Sequence, residues 1–96
     1  MTELTLISTH QRPLKSLVEA ALANELRLLQ AGVQRTEHRL GEFETKYQLS
    51  TPEFIRRYEA DEFEETLDFA EWIGEYRLLE KLREKIDILQ GIQFAN

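Results

Sequence analysis

Two pairs of acidic residues have a spacing that suits metal binding. Glu62 and Glu65 are three residues apart, and so are Glu84 and Asp87. Residues three apart on a helix are neighbours, and carboxylate oxygens are the ligands that hard cations such as Mg²⁺ prefer. The first chemistry to consider is therefore metal-assisted catalysis on adjacent helices.

These pairs loosely resemble the paired acidic motifs of all-α nucleotide pyrophosphohydrolases, and that resemblance implies Mg²⁺-dependent release of pyrophosphate. Leu82, Ile86 and Leu89 mark the core direction of the helix that carries the second pair. A rotation of about 100° per residue then places Glu84 and Asp87 on the opposite, solvent side. Metal ligands would have to face the interior, and 18 acidic residues in 96 produce such pairs by chance. A solvated charged face is the favoured interpretation.

Other catalytic chemistry finds few suitable residues. The chain has no cysteine, which excludes a disulfide scaffold, a thiol nucleophile and a cysteine-bound metal. His10 has no carboxylate or histidine three or four residues away, His38 has only Glu42, which is too few ligands for a metal site, and the four glycines are isolated. The sequence therefore predicts a non-catalytic protein with no cofactor and no metal.

A second pattern combines negative charge with aromatic residues. Between Glu59 and Glu75 there are eight carboxylates and no Lys or Arg, within a chain of net charge −6. This balance lacks the basic footprint of a nucleic-acid-binding protein. A basic protein partner would relieve the repulsion within the acidic run and speed the encounter. The predicted partner-binding residues are Tyr58, Asp61, Glu62, Phe63, Glu64, Glu65 and Asp68.

Phe63 has two possible roles. It lies where we expect the connection between two helices, flanked by Glu62 and Glu64. An apolar ring in this place either plugs the end of a helical bundle or anchors a partner, and the sequence leaves both roles open.

The elements that position these residues are predicted to be helices. Hydrophobic residues recur at alternating spacings of 4 and 3 in residues 22–47, and near a period of 3.5 in residues 72–89. Such a period is typical of a heptad seam that packs along another helix. The predicted core and dimer seam consists of Leu22, Leu26, Leu29, Val33, Leu40, Phe43, Trp72, Tyr76, Leu79, Leu82, Ile86 and Leu89.

Capping residues indicate where the helices begin and end. Ser50 and Glu53 have capping-box spacing, and Thr66 is suited to cap the last helix. Gly91 is predicted to end that helix in a left-handed conformation, with Ile92 folding back onto it. The predicted segments of the single domain, residues 1–96, are a tail or short strand (1–11), a long helix (12–47), a short helix (51–60) and a second long helix (66–90).

These segments define an all-α fold in which two long helices form a helical hairpin with a short connecting helix. Two long seams exceed what so short a chain is expected to bury, so we expect homodimerisation into a helical bundle. Gly32 and Gly41 either permit a close approach of a neighbour or mark a bend. A second apolar stripe should contact a further neighbour at the N-terminal end of the first long helix: Leu14, Leu17, Ala21 and Leu28.

The chain has no obvious targeting or membrane segment. No apolar run approaches the roughly 20 residues of a membrane span. The first residues, MTELTLISTHQR, lack the charged-then-apolar order of a signal peptide. We therefore expect a cytoplasmic protein with no membrane partner.

The stretch FETKYQLSTPEFIRRYEADEFEETLDFAEWIGEYRLLEKL resembles small acidic all-helical prokaryotic proteins treated as antitoxin components of type II toxin–antitoxin modules. The resemblance covers about residues 42–82. It implies an inhibitory protein that neutralises a basic toxin encoded nearby, with RNA cleavage as one activity such a toxin can have. The residues that carry the resemblance are Phe43, Glu44, Lys46, Tyr47, Ser50, Glu53, Phe54, Asp68, Phe69, Glu71, Trp72 and Tyr76.

The chain departs from the pattern of that family at two places. Gln48 stands where the family has a glycine after the tyrosine, and Asp61 and Glu64 stand where glycines are expected in the acidic turn. We therefore expect a more helical turn here. The alternative function left open, besides the pyrophosphohydrolase, is a coiled-coil structural adaptor that binds another helix through the seam.

Overall fold

Three helices and a two-stranded sheet form the part of the chain that the computed structural model describes, residues 2–4 and 13–94. The long helices pack against each other in antiparallel directions, which confirms the predicted all-α helical hairpin. The short strands pair in parallel, Thr2 opposite Ile92, and the remainder of the predicted 1–11 segment lies outside the described residues. In chain order the elements are β1 (Thr2–Leu4), α1 (Leu14–Tyr47), α2 (Thr51–Glu59), α3 (Leu67–Gln90) and β2 (Ile92–Phe94).

Side-chain caps begin the second and third helices as the sequence predicts. Ser50 Oγ accepts a hydrogen bond from the Glu53 backbone N–H at 3.3 Å. Thr66 Oγ1 accepts one from the Phe69 N–H at 3.0 Å. Each cap satisfies a backbone donor that the helix leaves unpaired and is worth about 1 kcal/mol. These two caps fix where the chain turns out of α1 and back along it.

The predicted left-handed cap at Gly91 is wrong. Gly91 has φ −87° and ψ −2°, in the right-handed region. Its N–H donates to the carbonyls of Asp87 at 3.1 Å and Ile88 at 3.2 Å, as in a last helical turn. The chain then continues into β2 instead of folding Ile92 back onto α3, so no reversal of the backbone is required.

A stacked aromatic core closes the end of the hairpin where α2 lies. Trp72 and Phe54 are fully buried, with ring centroids 3.9 Å apart and ring planes within 5° of parallel. Phe43 stacks on Trp72 at 5.5 Å. Aromatic side chains bury large apolar areas, so this cluster makes a large contribution to the stability of the fold. The buried core consists of Leu40, Phe43, Phe54, Ile55, Trp72, Ile73 and Leu79.

The two heptad seams face each other within one chain. Because α1 and α3 cover each other's seam, the seams themselves do not require a second chain, and an adaptor's partner helix would have to displace α3. Five seam residues are buried: Leu29, Leu40, Phe43, Trp72 and Leu79. The others are half-buried: Leu22, Leu26, Val33, Tyr76, Leu82, Ile86 and Leu89.

The two glycines of α1 differ in their surroundings. A Cβ atom at Gly32 would lie 3.3 Å from Leu82 Cδ1, whereas one at Gly41 would meet nothing within 4 Å. Gly32 therefore permits the close approach of α3. Gly41 has no such packing requirement.

Candidate partner-binding surface

The predicted partner-binding residues surround the connection between α2 and α3, residues 60–66, which we call the acidic turn. Helix α2 ends in a Schellman arrangement, in which Asp61 N–H donates to the Tyr58 carbonyl and Glu62 N–H to the Arg57 carbonyl, both at 3.0 Å. Asp61 adopts φ 60°. The expectation of a more helical turn is therefore wrong, because this arrangement ends the helix at Glu59.

Helix α1 ends in a similar way. Gln48 has φ 52°, and the N–H of Leu49 donates to the carbonyl of Glu44 at 3.2 Å. Across residues 2–4 and 13–94, Gln48 and Asp61 are the only non-glycine residues with positive φ. Both stand where the antitoxin resemblance implies glycine, the residue that adopts positive φ without steric cost. Glu64, the third such position, has no positive φ.

The ring of Phe63 lies against the aromatic core beneath the acidic turn. Its centroid is 5.1 Å from that of Phe69 and 5.9 Å from that of Phe54. The Arg57 guanidinium covers the ring at 4.6 Å from its centroid. Phe63 is half-buried and plugs the end of the bundle, which is one of the two roles that the sequence left open.

Asp68 joins the start of α3 to the end of α1. Its carboxylate accepts a hydrogen bond from Lys46 Nζ at 2.6 Å and another from the Tyr47 hydroxyl. The bond from Lys46, followed by that from Tyr47, lowers the pKa of Asp68 below its usual value. The same contacts raise the pKa of Lys46 and of Tyr47. Asp68 is therefore held as an anion in the first turn of α3, where the helix dipole also favours negative charge.

Two carboxylates of the acidic turn also have partners within the chain. Glu62 pairs with Arg57 at 3.2 Å, and Glu65 accepts a hydrogen bond from the Tyr58 hydroxyl at 2.6 Å. This hydrogen bond raises the pKa of Tyr58. A fourth carboxylate of the run, on α3, pairs with Arg39 of α1. Basic residues of the same chain therefore neutralise part of the acidic run, a role that the sequence had suggested for a basic partner.

The other half of the acidic run has no such neutralisation. Asp61 and Glu64 are exposed on the acidic turn, and no ion pair joins them to another described residue. Their negative charge therefore faces solvent beside the aromatic core, whose end Phe63 closes. The carboxylates of the run without an ion pair or hydrogen bond in the described part of the chain are Glu59, Asp61, Glu64 and Glu75.

A buried polar contact, which the sequence did not reveal, supports this surface from below. The indole Nε1–H of Trp72 donates to Thr51 Oγ1 at 3.0 Å, and Thr51 N–H donates to the Glu44 carboxylate at 2.6 Å. Ile73 is also buried, although it lies outside the heptad seam. The heptad period describes only how the two long helices face each other. It therefore predicts neither the hydrogen bond from Trp72 to Thr51 of α2 nor the burial of Ile73. The apolar Phe54 and Ile55 of α2 were the only signal of that contact.

The acidic pairs considered for metal binding do not converge. Glu84 and Asp87 are exposed, as predicted, and so are Glu62 and Glu65. Leu67 and Glu84 are 17 residues apart on α3, so the pairs lie about 25 Å from each other along the helix. Among the residues with described positions, no group of three or more His, Asp or Glu side chains is placed to hold a metal ion.

The fold and this surface define an acidic helical hairpin protein whose one end is closed by an aromatic core and bordered by exposed carboxylates. No helix in the described ranges is both long and apolar enough to cross a membrane. No protein family, curated protein or solved structure matches the chain.

Proposed function

We propose that this chain is a non-catalytic protein-binding module, an antitoxin that neutralises a basic toxin partner in the cytoplasm. The observation that carries the proposal is the acidic turn, which directs the exposed carboxylates of Asp61 and Glu64 away from a rigid aromatic core. The backbone that carries these carboxylates is already ordered on a packed core, so binding orders their side chains but little of the backbone.

The acidic turn suits a basic protein surface better than a small ligand. Its carboxylates spread over the exposed end of the bundle and do not converge on one point. A field of this kind accelerates the encounter with a positively charged protein and favours that partner over acidic ones. If the toxin cleaves RNA, these carboxylates occupy the places that phosphates would take in its cleft.

The backbone has positive φ at two of the three positions where the resemblance to antitoxins implies glycine, and the third, Glu64, has no positive φ. Gln48 and Asp61 hold positive φ values, 52° and 60°, at two positions where the resemblance implies glycine. A residue other than glycine is unfavourable there, so a pattern with glycine at both positions fits this backbone. This agreement concerns backbone geometry and is independent of the charge of the chain.

The proposal is tested by measuring the affinity of the purified protein for the product of the adjacent gene. We expect binding that weakens steeply between low and high salt, because exposed charge pairs are screened by ions. Absence of binding, or an affinity that does not change with salt, would contradict the proposal.

A matched pair of double variants locates the binding surface. Asp61→Asn with Glu64→Gln removes two exposed charges from the acidic turn, and we expect at least a tenfold loss of affinity with a smaller salt dependence. Glu84→Gln with Asp87→Asn removes the same two kinds of charge from the far part of α3 and should bind almost as the wild type does. Equal losses in both variants would reject the acidic turn as the binding surface.

A further inference from the structure

One flank of the hairpin exposes leucines from both long helices, and we call it the leucine flank. On α1, Leu17 and Leu28 are 60% and 58% exposed. On α3, Leu78 is 46% exposed, and Leu67 is exposed as well. The two leucines on each helix are 11 residues apart, which is about three helical turns and places them on the same face.

A groove of about 360 Å³ joins the two helices on this flank. Leu28 and Leu78 are on its walls, and Leu82 forms part of its floor because Gly32 leaves room for that side chain.

The groove on the opposite flank is lined mostly by polar residues such as Gln30. An ion pair between α1 and α3 borders each groove, Glu37–Arg83 on that side and Arg39–Glu71 on the leucine flank. The exposed leucines of both long helices therefore distinguish one flank of the hairpin.

Charged residues on the walls of the groove are arranged so that the flank is complementary to itself. Arg35 lines the groove from α1, and Glu75 lines it from α3. Neither forms an ion pair with any residue in the described part of the chain. A surface with basic residues on one wall and acidic residues on the other matches its own copy after a two-fold rotation.

We propose that the leucine flank binds a second copy of this chain. A two-fold axis parallel to the helices places α1 of each copy against α3 of the other, so that Arg35 meets Glu75 of the partner copy twice. The 24-residue α3 is about 36 Å long, and a hairpin about 20 Å wide offers roughly 700 Å² per copy. That area approaches the roughly 800 Å² per partner of a standard protein interface. The result is a four-helix bundle with the acidic turns outside the interface.

The solution mass of the protein tests this proposal directly. We expect light scattering after size exclusion, at a protein concentration of ~100 µM, to give twice the monomer mass of 11.3 kDa. Leu28→Glu places a charge in the interface and is expected to raise the dissociation constant at least tenfold. Ile88→Glu is the matched control, since Ile88 is 53% exposed but is not among the residues that line the groove. This control should remain dimeric.

Circular dichroism shows whether each variant is folded, and both sites are exposed in the single chain, so helix content should be unchanged. A monomeric wild type would overturn the proposal. A dimer that Leu28→Glu leaves intact, or that Ile88→Glu disrupts equally, would overturn it too.

Mixing two single charge variants tests the orientation of the copies. Arg35→Glu alone and Glu75→Arg alone each bring like charges together at both contacts, so each should dimerise more weakly than the wild type. In an equimolar mixture, every contact regains opposite charges, and we expect heterodimers that are tighter than either homodimer by several fold. No gain on mixing would contradict the proposed arrangement.

This proposal stands apart from the antitoxin function. The double variant Asp61→Asn with Glu64→Gln should lose the toxin partner and remain dimeric, whereas Leu28→Glu should lose the dimer and retain affinity for the partner per chain.

Discussion

At the end of the hairpin where α2 lies, which we call the aromatic end, three helices enclose Trp72 and Phe54, and neither side chain is exposed. At the other end, which we call the leucine end, α1 and α3 are the only helices in the described part of the chain, and Leu17 and Leu28 remain more than half exposed. The number of helices explains the difference, because two helices cover one face of each other and a third is needed to enclose a core. Within residues 2–4 and 13–94, the third helix, α2, lies at one end only.

The comparison separates the proposed roles of the molecule. The aromatic end buries its core within one chain and carries the acidic turn, the surface proposed for a basic partner. The leucine flank, whose residues Leu17 and Leu28 belong to the leucine end, retains apolar surface that a second copy would cover. Variants in the two ends should therefore differ in their effects on stability.

The largest difference is expected for truncation of one large apolar residue in each end. Trp72→Ala should lower the free energy of unfolding by about 3–5 kcal/mol, because it removes a fully buried ring that stacks on Phe54. Ile86→Ala, at a half-buried position, should cost about 1–2 kcal/mol. Urea unfolding followed by circular dichroism measures both values. Equal losses would contradict the contrast between the ends.

The hydrogen bond beneath the aromatic end gives the next largest effect. Thr51→Val keeps the shape of the side chain but leaves the buried Trp72 indole N–H without its acceptor at 3.0 Å. We expect a loss of about 1–3 kcal/mol of unfolding free energy. Thr51→Ser retains the hydroxyl and should cost less than 1 kcal/mol, roughly the value of one buried methyl group. A larger loss in Thr51→Ser than in Thr51→Val would show that the hydroxyl is not the important group.

Alanine substitutions at two helical glycines should change the free energy of unfolding by about 1 kcal/mol or less. Gly74→Ala should raise the unfolding free energy by about 1 kcal/mol, since a Cβ there meets nothing within 4 Å. Gly32→Ala should gain less or destabilise, because its Cβ would lie 3.3 Å from Leu82 Cδ1. Thermal unfolding of both variants measures the difference. A gain at Gly32 as large as that at Gly74 would show that Leu82 moves away without cost.

Glycine at the two left-handed positions should give a smaller gain. Gln48→Gly removes the steric cost of φ 52° and should stabilise the protein by about 0.5–1 kcal/mol. Asp61→Gly should stabilise less, because aspartate tolerates the left-handed region better than glutamine. Unfolding curves of the single variants compare the two. Destabilisation by Gln48→Gly would contradict the observed helix ending.

The smallest effect is expected in the acid dependence of stability. The folded-state pKa of Asp68 lies below its ordinary value of 3.8, so its stabilising contribution is complete above pH 3.8 and is lost as the pH falls through the folded-state pKa. Asp68→Asn should therefore show a smaller drop in melting temperature on acidification, and Lys46→Gln should reduce the drop in the same direction. An acid dependence identical to that of the wild type in both variants would remove the proposed contribution.

The sequence predicted the hairpin well because its dominant signal is local. The period of the seam specified two helices that pack along each other, and Ser50 and Thr66 marked where two of the helices begin. The sequence failed where the deciding contact joins a third element to the hairpin, as for the hydrogen bond between Trp72 of α3 and Thr51 of α2. It also failed at Gly91, where a glycine after a helix indicated a cap but the backbone continues into β2.

The sequence predicted where the acidic turn lies, but it did not predict which of its carboxylates are paired. A run without Lys or Arg appears unbalanced along the chain, yet Lys46, Arg57 and Arg39 approach it from other helices. Tertiary structure brings these cations in, so no local pattern predicts which carboxylates remain unpaired. Only the structure distinguishes Asp61 and Glu64 from their neighbours.

The most direct test of the central proposal is an NMR titration of the ¹⁵N-labelled protein with the product of the adjacent gene. If the acidic turn is the binding surface, the backbone amides of residues 58–68 should shift, while those of Leu28 and Leu78 should keep their positions. Shifts confined to the leucine flank, with the acidic turn unaffected, would contradict the account.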